Sequence, residues 1–96
     1  MSRLKRFLDF TKRFHKKDEL GDFYKNIAKK YNLPYKKVGE RIFSMGPRDG
    51  YEFIVSVGAD ACHVQVLYND IIIRSSMVFD LDKYLLNFDF SEKNKN

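Results

Sequence analysis

The stretch Tyr51–Phe79, YEFIVSVGADACHVQVLYNDIIIRSSMVF, decides the fold. Three runs rich in β-branched and aromatic residues, 51–57, 62–68 and 71–79, are separated by short polar turns, which is the pattern of an antiparallel meander. Asn69-Asp70 suits a two-residue hairpin loop, because both residue types tolerate positive φ. That loop pairs Tyr68 with Ile71, Val66 with Ile73, Val64 with Ser75 and Cys62 with Met77. Treating Ala59-Asp60 the same way pairs Val57 with Cys62, Val55 with Val64, Phe53 with Val66 and Tyr51 with Tyr68. The two turns, chosen independently, put the same residues on one apolar face. The opposite face reads Ser56-His63-Ser76, Ile54-Gln65-Arg74 and Glu52-Leu67-Ile72, polar except for Ile54, Leu67 and Ile72. An antiparallel sheet can leave such a face wet, so the helices are expected on the other.

Beyond this stretch, Asp80 is placed to cap a short C-terminal helix that buries Leu81, Tyr84, Leu85 and Phe88. Residues 91–96 read as a polar tail after a single domain spanning 1–90. Toward the N-terminus, Leu4, Phe7, Leu8, Thr11 and Phe14 share one face of a helix over 3–16, with Lys5, Arg6, Lys12, Arg13 and Lys16 on the other. A second helix is expected over about 18–31, capped by Asp18 and striped by Leu20, Phe23, Tyr24, Ile27 and Tyr31. Asn32 can take the left-handed position after its last turn, and Pro34 ends it. Residues 35–45 read as a third helix through Tyr35, Val38, Ile42 and Met45, stopped by Gly46-Pro47, although Gly39 inside it costs about 1 kcal/mol. The expected architecture is therefore α+β. It has two or three N-terminal helices packed on one face of a three-stranded antiparallel meander, and a short C-terminal helix.

Composition agrees with a packed globule, since 44% of the 96 residues are hydrophobic and 16% aromatic, with two prolines. The wealth of Lys, Asn, Ile, Phe and Tyr is typical of an AT-rich genome, such as that of a low-GC bacterium or a phage. The single cysteine, Cys62, excludes an intrachain disulfide. No apolar run is long enough for a secretory signal or a membrane span, so the expected compartment is the cytoplasm. The net charge of +5 is unevenly spread, with +8 over residues 1–41 and −3 over 42–96. An anionic partner would be drawn to the first half.

The constellations that carry chemistry do not assemble. Cys62 and His63 are adjacent on a strand and point to opposite faces, so they cannot hold one metal ion. Ser56, His63 and Ser76 lie on an open sheet with no oxyanion hole. Asp80 and Asp82 resemble paired carboxylates, but helix capping accounts for them. The glycines form neither a phosphate loop nor a dinucleotide fingerprint. A non-enzymatic binding protein is expected, with no cofactor, no metal and no small-molecule substrate.

The stretch 27–42, IAKKYNLPYKKVGERI, resembles the helix-turn-helix of DNA-binding proteins. Ala28 stands where the two helices would cross, Asn32 at the turn, and Leu33, Val38 and Ile42 at buried positions. The resemblance implies that Tyr35, Lys36, Lys37, Glu40 and Arg41 face the major groove or phosphates. Lys29 and Lys30 would join them, helped by Arg3, Lys5, Arg6, Lys12 and Arg13. The basic first helix can also simply pack through its apolar stripe, or lie on an anionic membrane. Two function classes are therefore open. The first is a regulatory protein that binds nucleic acid. The second is a protein-interaction module, such as a phage- or plasmid-type accessory or inhibitor protein. That module would use the patch of Ile54, Leu67 and Ile72, which could equally bury itself in a homodimer or under the C-terminal helix. An acidic protein surface is the other anionic partner open to the basic half.

Overall fold

The structure, a computed structural model, describes residues 18–91. The helix expected over 3–16 and the tail beyond Ser91 lie outside the described residues. The elements are α1 (Glu19–Lys30), β1 (Tyr35–Gly39), β2 (Ile42–Arg48), β3 (Tyr51–Val57), β4 (Cys62–Tyr68), β5 (Ile71–Val78) and α2 (Leu81–Leu86). The five strands form one antiparallel sheet in the order β1-β2-β3-β4-β5. This overturns the expected set of N-terminal helices over three strands. The described chain has one 12-residue helix and one of 6 residues.

The correction arises in residues 35–45, which form β1 and most of β2 rather than a helix. A helix through Ile42 and Met45 leaves Phe43 off its apolar stripe. Alternation instead sends both Phe43 and Met45 inward, where each is fully buried, and turns Ile42 outward. Glu40-Arg41 closes this hairpin without a residue at positive φ. Gly46-Pro47 is not a helix stop but an irregularity within β2, where the register to β3 jumps between Met45 and Arg48. Gly46 has φ +123°, and a Cβ there would lie 2.7 Å from the Tyr51 carbonyl oxygen, so only glycine fits.

The β3–β4 register pairs Tyr51 with Tyr68, Phe53 with Val66, Val55 with Val64 and Val57 with Cys62, as the turn at Ala59-Asp60 predicts. Asn69 and Asp70 both adopt positive φ in the next hairpin. There the pairing starts as predicted, Tyr68 with Ile71, and then a bulge opposite Val66 and Leu67 takes up Ile73. Beyond it every pair shifts by one. Val64 faces Ser76, and Cys62 faces buried Val78 instead of Met77. Arg74 moves to the helix side opposite Val66, and Met77 moves to the outer face beside His63.

Two cross-strand rows, Phe43–Val55–Val64 and Met45–Phe53–Val66, form the dry centre of the inner face, with every side chain fully buried. Each such side chain contributes about 1.5–3 kcal/mol by leaving water. Helix α1 starts on Asp18, whose carboxylate accepts the Gly21 amide at 3.0 Å, and covers β1 and β2 with Tyr24, Ile27 and Ala28. Tyr24 stacks on Phe43, and its hydroxyl lies 3.0 Å from Cys62 Sγ. Burial, then the Cys62 contact, pushes its phenol pKa upward. Asn32 takes the left-handed position after α1, with φ 57°. Helix α2, capped by Asp80 at the Lys83 amide, buries Leu81 and Leu85, while Phe88 meets Phe53 edge-on at 4.9 Å.

Two clamps tie these pieces together. Arg48 donates to the Tyr31 carbonyl at the end of α1 at 2.7 Å and lies 4.2 Å over the Phe90 ring. Asp82 accepts from the Tyr31 hydroxyl and from Lys30 Nζ at 3.0 Å, joining the two helices. The Tyr31 hydrogen bond and then Lys30 hold the Asp82 carboxyl below its ordinary value of 3.8.

Arg48→Ala is expected to lower stability by about 1–2 kcal/mol, and Arg48→Lys to recover less than half, because an ammonium cannot both donate to the carbonyl and lie flat on the ring. Urea denaturation measures both. A carboxyl with a lowered native pKa stabilises above its unfolded value, and that contribution fades as pH falls through the native value. Asp82→Asn should therefore shift the urea midpoint downward near pH 7, and the gap from wild type should narrow as pH falls below the ordinary carboxylate range.

Candidate interaction surface

The residues assigned to nucleic acid that the structure describes fall on different elements. Lys29 and Lys30 end α1, and Lys30 is paired with Asp82. Tyr35 turns inward and stacks on Phe43 at 5.8 Å. Lys36 pairs with Ser44 on the outer face, whereas Lys37 faces the helix side and reaches the Asp18 carboxylate at 2.7 Å. Arg41 sits in the β1–β2 turn. A helix-turn-helix needs a second helix over 35–42, and a hairpin occupies those residues. Arg3, Lys5, Arg6, Lys12 and Arg13 lie outside the described residues.

Ile54, Leu67 and Ile72 do share the outer face. Leu67 pairs directly with Ile72, and Ile54 is the diagonal neighbour of Leu67. No described element covers this face. Ser44 Oγ donates to Glu52 there at 2.7 Å, and His63 lies between Ser56 and Met77, so the trio with Ser76 does not form. Cys62, on the other face, is buried. Among the described residues no three His, Cys, Asp or Glu side chains gather around a metal position. Among them also, no helix is long and apolar enough to cross a membrane.

The two edges of the sheet differ sharply. β1 has five residues, carries Lys36 and Lys37 and is broken by a bulge before Gly39. Short length, lysines and bulges are the devices that keep an edge from pairing with another chain. β5 has none of the first two. It runs eight residues, about 26 Å, with Arg74 as its one charge. Ile71, Ile72 and Met77 are 66%, 55% and 64% exposed, and Phe79 just beyond is 83% exposed. Its bulge at Ile73 lies near the start and leaves Arg74–Val78 regularly paired to β4. The outward N–H and C=O groups of β5 have no strand beside them among the described residues.

Beside this edge, between β5 and α2, runs an open groove of about 1300 Å³. Ile71, Ile73, Met77 and Phe79 form its sheet side, and Tyr84 and Phe88 its helix side. Its carboxylates are engaged: Asp80 caps α2, and Asp89 accepts from Ser91. Its donors are not. Neither Arg74 nor Lys83 has a side-chain partner among the described residues, and the Tyr84 hydroxyl is buried without one. Sequence reasoning missed this site because it placed Ile73 and Met77 in the core and Arg74 outside. The signal was available in the contrast between YKKVGE at 35–40 and the almost uncharged IIIRSSMVF at 71–79. Comparison of the chain with protein-family models, curated proteins and solved structures finds no match.

A buried hydroxyl without a partner is destabilising. Tyr84→Phe is expected to raise stability by about 1 kcal/mol, measured from urea midpoints at unchanged slope.

Proposed function

We propose that the protein is a non-enzymatic interaction module that captures an extended segment of a partner protein along β5. The observation that carries this reading is the asymmetry of the sheet edges, with β1 blunted and β5 long, apolar and open. Backbone pairing supplies affinity in such strand addition, and pockets for alternate side chains supply specificity. The groove against α2 would take every second side chain of the added strand. The others would extend the outer row Glu52–Leu67–Ile72, which gives the apolar trio of the outer face a place in the same contact. The nucleic-acid reading loses its main support with the helix it required.

A library of random ten-residue linear peptides, panned on the purified chain, tests the proposal. Peptides rich in alternating apolar residues should be enriched, and in hydrogen exchange they should protect amides of Ile71–Val78. Replacing both Ile71 and Met77 by Lys should weaken them at least about tenfold, without loss of the circular dichroism of the fold. Enriched peptides that leave β5 unprotected would overturn the proposal. So would a chain that yields no peptide, including one that shifts duplex DNA at low salt instead.

A further inference from the structure

Resting on that reading, we infer that the captured segment is acidic: an apolar strand with a carboxylate that enters the groove and is read by Arg74 and Lys83. The groove holds two cations and two carboxylates, so net charge decides nothing, and engagement does. Asp80 and Asp89 already accept hydrogen bonds from the chain. The guanidinium of Arg74 and the ammonium of Lys83 are exposed donors with no side-chain partner among the described residues. A carboxylate answers both cations, and an Arg fork binds it with two parallel bonds. Arg74 stands opposite Val66 in the middle of the edge, on the groove side. An acidic side chain near the middle of the added strand would therefore meet it, while an apolar residue two positions away, toward the start of β5, would reach Ile71.

The same chemistry disfavours occupants from within this chain. A second copy paired along β5 would bring another Arg74 and no acid, since 71–79 contains neither Asp nor Glu. Residues 1–17 carry seven Lys or Arg and one Asp, and would add like charge.

The test is to pan the peptide library in parallel on the wild-type chain, on Arg74→Glu and on Lys83→Glu. Wild type should enrich peptides with Asp or Glu two positions from an apolar residue, and resynthesis with Gln or Asn at the acidic position should weaken them about tenfold. Arg74→Glu should reverse the choice toward Lys or Arg, and Lys83→Glu should bind the acidic peptides several-fold less tightly. Apolar peptides that protect β5 with no acidic preference would overturn this inference and leave strand addition intact. Peptides that bind without protecting β5, or an empty selection, would remove both. Sedimentation showing a dimer that Met77→Lys dissociates, with no peptide bound, would assign the edge to a second copy and overturn the inference.

Discussion

Two rows of side chains, Phe43–Val55–Val64 and Met45–Phe53–Val66, set the rest of the structure. They are dry on one face only, so everything able to exclude water must gather on that face. Helix α1 covers the β1–β2 side, and α2 with Phe88 and Phe90 covers the middle. Among the described residues these two helices leave the β5 side of the inner face as the open groove between β5 and α2.

The bulge at Ile73 determines what lines that groove. With regular pairing, Val78 would face outward and Arg74 would lie among the polar residues of the outer face. One extra residue reverses both. Val78 seals the core beside Cys62, and Arg74 stands on the groove side of an otherwise uncharged edge. The same inserted residue completes the core and charges the site.

The sequence makes parts of this plain, for physical reasons that can be named. Alternation with a clear turn predicts the β3–β4 register, and carboxylate caps locate the starts of α1 and α2. Asn32 and Asn69-Asp70 announce their backbone through positive-φ tolerance. Residues 35–45 mislead because Val38, Ile42 and Met45 satisfy helical spacing, and Glu40-Arg41 is not a recognisable turn. Tertiary pairing of Phe43 with Val55 settles that segment, and no local signal carries it. The bulge is equally silent, since Ile71-Ile72-Ile73 looks the same with or without a slip. The outer-face trio Ile54, Leu67 and Ile72 is legible because it lies before the bulge takes effect. The groove is illegible because its lining, from Arg74 to Phe79, comes after the slip.

In the meander, each strand pairs with the one beside it in the chain, through turns of a few residues. Loop-closure entropy is small for every such step, and contacts so local favour rapid assembly, hairpin upon hairpin. Here the first and last strands are not neighbours, so among the described residues the ladder that zips together step by step is left open at β5.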